Sequence, residues 1–423
     1  MNHFDLKGGA LHCEDVSLVD IAQAVGTPVY VYSTATFARH FMVYRDALTA
    51  HPGLGSPLIA YAVKANSNVS VLATLAALGA GADTVSEGEI RRVLAAGVPA
   101  GRIVFSGMGK REEELAFALS VGVGQINVES EHELNLLSQV ARSQNQKPTV
   151  VIRVNPDVGA GGHAKISTGT SANKFGVPVN EARRLYREGA SDSCLHMAGL
   201  ACHIGSQIAD LAPLEAAFSV LRNMTLQLRA EGLPVTRLDL GGGVGVPYFS
   251  QPDPPTPTDF ASMAARVVGD LGVAFTVEPG RVIAANAGVL LTRVSHINRR
   301  PDGRRFLVVD AAMNDLLRPA MYEAFHDLRP VIPRSGSVAE YDIVGPVCET
   351  GDTFARGRPL SPMQAGDLAT FMSAGAYGAV MASEYNTRPL VPEVLVNGAD
   401  FAVIRPRPSY EDMLNREARA PWL

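Results

Sequence analysis

Eight short β-branched runs alternate with segments of helical periodicity between residues 57 and 283, and this alternation constrains the fold more than any other feature. Short apolar runs bounded by turn residues predict buried strands. Eight strands alternating with helices over about 250 residues predict a (β/α)8 barrel of the TIM type. An open doubly wound sheet ranks second, because the glycine pattern expected after its first strand is missing. The eight runs are 57–66, 81–86, 102–106, 125–128, 149–154, 199–204, 237–240 and 274–277.

The sequence pattern changes after residue 281. Segments with helical periodicity become rare, and β-branched runs alternate with turns. This pattern predicts an antiparallel β domain in the C-terminal part of the chain. The β-rich segment that ends at residue 32 is expected to join it. The predicted domains are therefore a barrel over 33–282 and a β-sandwich or barrel-like domain made of 1–32 and 283–423.

Composition excludes several classes of function for this chain of 423 residues. A net charge of −5 gives no electrostatic case for nucleic acid. Neither a bilayer-spanning apolar stretch nor the basic-then-apolar order of a signal peptide is found. The cysteines have neither metal nor disulfide spacing, so no metal site is expected and a reducing cytoplasm is the predicted location. They are Cys13, Cys194, Cys202 and Cys348.

The first of the eight runs ends in a lysine, Lys64. A strand that emerges there would hold the amine at the edge of the core, where a partly desolvated amine suits Schiff-base chemistry. The alternative is a lysine that extends along the apolar surface to water. Position alone favours the second interpretation, so the rest of the sequence has to decide.

The loops after predicted strands seven and eight have the composition of an anion site. Strand seven runs into Gly241, Gly242 and Gly243, and strand eight runs into the tetrapeptide 278–281, Glu-Pro-Gly-Arg. Glycines let backbone N–H groups approach a phosphate closely, and Arg281 can bind phosphate or carboxylate. Barrel enzymes often bind phosphate with these two loops. Ordinary barrel turns are the alternative.

Several motifs together resemble one enzyme family. The segment 61–66, Tyr-Ala-Val-Lys-Ala-Asn, resembles the cofactor-lysine motif of the pyridoxal-phosphate enzymes built on an alanine-racemase-like barrel. His-Ile-Gly-Ser at 203–206 and the tetrapeptide at 278–281 match the same group. Cys348-Glu349 resembles the Cys-Glu motif of the diaminopimelate decarboxylases. Further matches lie at 166–169, 174–176, 317–322 and 374–378, in the order found in that family.

This resemblance implies a pyridoxal 5'-phosphate site. Lys64 would carry the cofactor, His203 would stack on its ring, Ser206 would bind its phosphate, and Glu278 would pair with its pyridine nitrogen. Because alanine racemases use an arginine at the position of Glu278, the glutamate favours decarboxylation over racemisation. The other cofactor residues that the resemblance implies are Asp83, Gly241, Gly242, Gly243, Pro279, Gly280, Arg281 and Tyr377.

The resemblance also implies a substrate and an assembly. The expected reaction is decarboxylation of meso-2,6-diaminopimelate to L-lysine and CO2, the last step of lysine biosynthesis. Lys64, His203 and Cys348 would be catalytic, with Cys348 as the proton donor. The active site would be shared across a homodimer, with Cys348 and Glu349 contributed by the second subunit. The expected substrate-binding residues are Arg281, Arg318, Tyr322, Glu349 and Tyr377.

Two other functions stay open. A relative acting on another amino-acid or carrier-bound substrate, such as a siderophore precursor, would share nearly all the cofactor motifs. A non-catalytic pyridoxal-phosphate carrier on a lone barrel would have neither a β domain nor a Cys-Glu motif. Both of those features are predicted here, so the carrier interpretation is disfavoured.

Overall fold

The computed structural model describes residues 2–159, 168–170, 173–248 and 253–423. The chain forms two compact units within these bounds. One comprises 38–247 with 252–283, and the other comprises 1–37, 248–251 and 284–423. The domain boundaries predicted at 33 and 282 stay a prediction about independently folding domains.

The strands and helices of the described residues are numbered here in chain order. The strands are β1 (Phe4–Lys7), β2 (Ala10–Cys13), β3 (Val16–Ser17), β4 (Val29–Ser33), β5 (Leu58–Ala62), β6 (Gly81–Thr84), β7 (Ile103–Phe105), β8 (Gln125–Val128), β9 (Thr149–Asn155), β10 (Val177–Pro178), β11 (His196–Ala201), β12 (Arg237–Asp239), β13 (Ala274–Val277), β14 (Gly288–Arg299), β15 (Arg305–Val309), β16 (Leu328–Pro330), β17 (Ala339–Val344), β18 (Thr353–Leu360), β19 (Leu368–Phe371), β20 (Glu393–Asn397) and β21 (Asp400–Arg405). The α-helices are α1 (Leu18–Val25), α2 (Thr34–Thr49), α3 (Val69–Ala77), α4 (Glu87–Ala95), α5 (Glu112–Val121), α6 (Glu131–Ser143), α7 (Val179–Ser191), α8 (Ala212–Ala230), α9 (Pro257–Val268), α10 (Arg281–Ala284), α11 (Arg318–Tyr322) and α12 (Tyr410–Leu414).

The first unit contains a closed parallel barrel, which confirms the predicted (β/α)8 fold. Its eight strands pair in the ring order β5, β6, β7, β8, β9, β11, β12, β13 and back to β5. The short β10 pairs with β9 outside this ring. Every predicted run contributes one barrel strand. The closing pair β13–β5 excludes the open doubly wound sheet.

Helices on the barrel begin directly after the strands for a local reason. Ser86 lies two residues beyond β6, and its hydroxyl accepts a hydrogen bond from the Glu89 N–H at 3.2 Å at the start of α4. Ser130 caps α6 in the same way, through the Glu133 N–H at 3.1 Å. Such N-caps satisfy amide groups that a helix leaves free in its first turn. They keep the loops at this end of the barrel short and fixed.

The second unit is built on a sheet ordered β18-β17-β15-β14-β4-β20-β21, with β19 pairing both β14 and β16. The N-terminal strand β4 lies between β14 and β20, so the prediction that the N-terminal segment joins this domain is confirmed. The sheet is mixed rather than wholly antiparallel, because β15–β17 and β4–β20 pair in parallel. Parallel pairing needs a long crossover, and the chain between residues 30 and 393 supplies one.

Valine and leucine side chains fill the core beneath this sheet. They include Val29, Val31, Val289, Leu291, Val394 and Val396 from β4, β14 and β20.

Within the described part of the chain, none of the helices has the length and apolar character needed to cross a membrane.

Candidate active site

Lys64 lies just beyond the end of its barrel strand. Strand β5 ends at Ala62, and the lysine occupies a 3₁₀ turn, Val63–Ala65, rather than the strand itself. Its amine donates a hydrogen bond to Asp83 Oδ2 at 2.8 Å. The Asp83 side chain is fully buried, whereas 37% of the Lys64 side chain is exposed. The ion pair therefore fixes the amine and leaves it accessible at the mouth of the barrel.

A cavity of about 380 Å³ opens above this lysine, within the barrel unit. Lys64, His203 and Glu278 all line it, although they come from loops after different strands. The barrel therefore brings together three side chains for which the sequence predicted a role at the cofactor. The other lining residues include Ser106, Met108, Asn127, Arg153, Thr168, Lys174 and Phe175.

His203 is held as a neutral imidazole. Burial, together with the positive charges of Arg153 and Lys64, holds the pKa of His203 well below its usual range. Its Nδ1 accepts a hydrogen bond from the Gly242 N–H at 3.2 Å, which leaves the proton on Nε2.

Of the predicted segment 166–169, residues 166 and 167 lie outside the described residues. Thr168 donates from Oγ1 to the His203 carbonyl at 2.8 Å.

Glu278 is a buried carboxyl among other carboxylates. Burial, then the negative charges of Asp239 and Asp83, raise the pKa of Glu278 well above its usual range. Ser106 Oγ donates to Glu278 Oε1 at 3.4 Å, and Asn127 Nδ2 approaches the same oxygen at 3.5 Å. A carboxyl group with a raised pKa keeps its proton and can donate it to a basic group of a bound molecule.

The two predicted anion loops pack directly on one another. The Gly241 carbonyl accepts a hydrogen bond from the Glu278 N–H at 2.7 Å. Arg281 is buried and donates through Nε and Nη2 to Ser206 Oγ, at 3.3 and 3.1 Å. The Pro279 carbonyl accepts from the Ala62 N–H at 3.1 Å, next to the lysine turn. Ser206, the glycine run and the Arg281 guanidinium therefore belong to one connected structure.

The glycines of this structure cannot carry side chains. Gly241 and Gly243 have φ angles of +63° and +112°, which favour glycine. A Cβ on Gly242 would lie 2.1 Å from the Glu278 carbonyl oxygen. Without side chains, this turn lets a ligand approach its backbone closely, although the Gly241 and Gly242 N–H groups already donate to Asp239 and His203.

Replacing Gly242 by alanine is expected to weaken cofactor retention, because the new methyl group must displace the loop that carries Glu278. Overpacking of this kind costs about 1–3 kcal/mol, which corresponds to a Kd for pyridoxal 5'-phosphate raised by about 5- to 150-fold. Fluorescence titration of the apoprotein measures it. Gly101→Ala is the matched control, since nothing lies within 4 Å of a Cβ built there. An unchanged Kd for Gly242→Ala would contradict the expected role of the glycine run in cofactor binding.

The second unit carries the remaining predicted residues. Cys348 and Glu349 are exposed in a turn, where the Cys348 N–H donates to Asn386 Oδ1 at 3.1 Å. Glu349 accepts a hydrogen bond from the Tyr385 hydroxyl, and this bond raises the pKa of Tyr385. Tyr377 has a φ of +56°, a conformation rare for a non-glycine residue and frequent at functional sites.

Arg318 is buried within this second unit, at the start of α11. Its Nη1 donates to the Tyr248 hydroxyl at 3.0 Å and lies 2.9 Å from His326 Nε2. The guanidinium carbon also lies 5.4 Å from the centre of the Tyr248 ring. Tyr322, half-buried, ends the same helix. Arg318 is thus fixed by its neighbours rather than extended into solvent.

Sequence reasoning missed several residues of the cavity. Arg153 is buried, donates to Glu129 Oε1 at 2.8 Å, and lies 5.0 Å from the centre of the Phe175 ring. Asn127 and Ser106 lie beside Glu278. A signal existed, because Arg153 and Asn127 are polar residues inside runs that otherwise read as buried strands. Such residues face the interior of a barrel and need partners there.

Comparisons with known proteins agree with this geometry. Residues 36–285 match the family model described as pyridoxal-dependent decarboxylase, pyridoxal binding domain. A diaminopimelate decarboxylase of Zymomonas mobilis is 48% identical over 99% of both chains, and one of Vibrio cholerae is 45% identical over 100% of both. This chain belongs to the diaminopimelate decarboxylase family. It is a pyridoxal-phosphate-dependent decarboxylase.

Solved structures of the diaminopimelate decarboxylase family have the same fold. The Helicobacter pylori enzyme, complexed with L-lysine, matches with a TM-score of 0.90 at 38% identity, covering 94% of this chain and 98% of that one. The M. jannaschii enzyme, also in complex with L-lysine, matches with a TM-score of 0.94 at 33% identity, covering 99% and 98%. A lysine/ornithine decarboxylase of Vibrio vulnificus, at 23% identity and a TM-score of 0.78, shares the fold.

Proposed function

We propose that the barrel cavity binds pyridoxal 5'-phosphate through Lys64, and that the α-carboxylate of meso-diaminopimelate is released there as CO2. One observation carries this proposal: the Lys64 amine and the buried Glu278 carboxyl line the same cavity of about 380 Å³. An amine and an acid on neighbouring loops, which follow the paired strands β5 and β13, can hold the aldehyde end and the ring nitrogen of one flat molecule.

The residues present fit this cofactor on independent grounds. The glycine run has no side chains and leaves no room for a Cβ, so a phosphate can approach its backbone closely. Ser206 and Arg281 supply a hydroxyl and a cation next to that run. Asp83 Oδ1 is buried without a hydrogen-bond partner among the described residues, although Oδ2 binds the lysine amine. The Asp83 Oδ1 oxygen can therefore accept a hydrogen bond from a second donor near Lys64.

The protein's own groups then have distinct tasks. When bound, the cofactor provides a ring that takes up the electron pair left behind by CO2. Glu278 holds a proton at the ring nitrogen, which strengthens that electron uptake. The neutral imidazole of His203 forms one wall of the site without adding positive charge. Lys64 would hold the cofactor through its amine, which lies at the exposed mouth of the cavity.

Cys348 is the proposed donor of the proton that replaces the carboxylate. The thiol is exposed in its own subunit, next to Glu349. An exposed turn with a thiol and a carboxylate suits a role in completing the site of a second subunit. We therefore infer a homodimer in which each active site uses Lys64 of one chain and Cys348 of the other. The four free thiols support a reducing, cytoplasmic location.

The distal end of the substrate carries both a carboxylate and an ammonium group. Arg318, assisted by Arg281, Tyr322 and Tyr377, is proposed to bind the carboxylate, and Glu349 the ammonium. Because the Arg318 guanidinium is already held by neighbouring side chains, little conformational entropy is lost when it binds a ligand. A diamine-type substrate such as ornithine, which has no distal carboxylate, would have no use for this arginine.

Replacing Arg318 by alanine is expected to lower kcat/KM for meso-diaminopimelate by several tens-fold or more. The reason is that losing one partner of a desolvated charge pair costs about 2–5 kcal/mol. Retention of pyridoxal 5'-phosphate should change little. Arg329→Ala removes an exposed arginine, paired with Asp327, as the matched control. If Arg318→Ala discriminates against lysine and ornithine as strongly as the wild type does, Arg318 does not read the distal carboxylate.

The direct test of the proposed function is an assay for lysine and CO2 with the purified protein and added pyridoxal 5'-phosphate. We expect release of both from meso-diaminopimelate, and little CO2 from ornithine, arginine or lysine. Equal turnover of ornithine or arginine would refute the assignment to lysine biosynthesis, while the cofactor site would stand.

A further inference from the structure

A chain of buried polar side chains crosses the barrel interior beneath the cavity. Gln125 and Asn127 lie on β8, and Asp239 lies on β12, which is not a neighbour of β8 in the ring. Gln125 Nε2 nevertheless donates to Asp239 Oδ2 at 2.9 Å. Gln125 and Asp239 are fully buried, and Asn127 is 2% exposed. These side chains therefore meet across the inside of the barrel, and burial without partners would be costly.

The direction of the hydrogen bonds among these buried side chains follows from one arginine. A guanidinium can only donate, and Arg237 Nη1 donates to Gln125 Oε1 at 3.0 Å. The Gln125 amide nitrogen must therefore face away from Arg237, toward Asp239 and toward Asn127 Oδ1 at 2.8 Å. Since the Asn127 oxygen is thereby occupied, its nitrogen faces Asp239 Oδ2 at 3.2 Å and Ser106 Oγ at 3.1 Å.

Asp239 consequently receives hydrogen bonds on both of its oxygens. The two amides donate to Oδ2, and the Gly241 N–H donates to Oδ1 at 3.0 Å. A further hydrogen bond from Glu278 also favours the charged carboxylate. Burial raises the pKa of Asp239, but these donors oppose that effect. Of the two carboxyl groups, Glu278 is therefore the one that keeps the proton.

Other charges face this pair from neighbouring elements. Asp83 at the end of β6 adds negative charge, whereas Lys64 after β5 and Arg153 on β9 add positive charge. Arg237 at the start of β12 lies on the far side of Asp239 from the cavity, beyond Gln125. The positive groups lower the pKa of Glu278, whereas burial and then the charge of Asp239 raise it.

We propose that Asp239 is a positioning residue whose charge, maintained by the Arg237–Gln125–Asn127 chain, keeps the ring nitrogen of bound pyridoxal 5'-phosphate protonated through Glu278. This inference rests on the proposed function, in which Glu278 faces that nitrogen. On binding, the Glu278 O–H bond breaks and a ring N–H bond forms. The product is one ring cation beside two carboxylates, with no proton gained or lost. Without Asp239, one of the anions that stabilise this ring cation is absent.

The test uses the holoenzyme loaded with pyridoxal 5'-phosphate labelled with ¹⁵N at the ring nitrogen. The ¹⁵N chemical shift, followed by NMR against pH, reports directly whether this nitrogen carries a proton. In Asp239→Asn, the midpoint of the titration is expected to fall by about 1–3 pH units, the range for removal of one nearby charge. Asp270→Asn removes an exposed carboxylate of the same unit and should leave the midpoint unchanged.

A second variant covers the case in which Asp239→Asn does not fold or load. Gln125→Met keeps the size of the side chain and removes a donor to Asp239, so a smaller fall of the midpoint is expected. A wild-type midpoint in loaded Asp239→Asn overturns the role of Asp239, and a wild-type midpoint in Gln125→Met overturns the part assigned to Gln125 in maintaining its charge. If the wild-type nitrogen is itself unprotonated at neutral pH, the role of Glu278 in the proposed function fails instead, and the two failures are thereby told apart.

Discussion

Replacing Lys64 by alanine is expected to give a folded protein with no detectable decarboxylase activity. The variant lacks the amine that is proposed to hold pyridoxal 5'-phosphate, and no other lysine contacts Asp83 Oδ2 in the described structure. The wild type should be yellow, and borohydride should fix the cofactor onto the peptide that contains Lys64, as mass spectrometry can show. In Lys64→Ala this labelled peptide should be absent.

A second lysine in the same cavity makes this test sharper. Among the described residues, Lys174 is the other lysine that lines the cavity, so it is the alternative amine to be tested. In Lys174→Ala the label is expected to stay on Lys64. Labelling of Lys174 in the wild type, or a coloured and reducible Lys64→Ala variant, would remove the central claim about the site. Thermal unfolding should be compared as well, because Lys64→Ala leaves the buried Asp83 carboxylate without its cation.

Replacing Cys348 by alanine is expected to lower kcat by about 10²–10⁴-fold, the range for the loss of one positioned proton-transfer group. Binding of pyridoxal 5'-phosphate should be retained, because Cys348 is not among the proposed cofactor residues, which apart from Tyr377 lie in the barrel unit. Cys194→Ala is the matched control, since Cys194 is another free thiol. A Cys348→Ala variant with wild-type kcat would exclude the thiol as the proton donor.

The same variant tests whether the site is shared between subunits. Lys64→Ala and Cys348→Ala should each be inactive alone but regain activity when mixed under conditions that exchange subunits. With random exchange, half of the dimers are mixed and one of their two sites is intact, so about a quarter of the wild-type activity is expected. If exchange is demonstrated by native mass spectrometry and no activity returns, each site is built from one chain.

Local sequence patterns were sufficient to predict the strands and helices of the barrel. The eight runs and the helices between them were predictable because burial and periodicity act over a few residues at a time. Lys64, the glycine run and Glu278 could be placed at one end of the barrel for a related reason. In a barrel of parallel strands, each residue that directly follows a strand must lie at the same rim.

Tertiary structure alone decided the contacts between distant parts of the chain. The parallel pairing of β4 with β20 joins residues 30 and 393, and no local pattern distinguishes it from an antiparallel pair. The meeting of Gln125 with Asp239 depends on closure of the ring, which places side chains of non-neighbouring strands in one interior. Arg153 and Asn127 were visible as polar residues in apolar runs, but a sequence does not state which partners satisfy them.

The sequence by itself thus determined the strands, the loops and the identity of the groups at the barrel rim, because those follow from short-range burial and from residue chemistry. The protonation of those groups was decided by the tertiary structure. Glu278 and His203 have ordinary pKa values in an unfolded chain. Only burial beside Asp239 in one case, and beside Arg153 and Lys64 in the other, makes the first a proton-holding acid and the second a neutral imidazole.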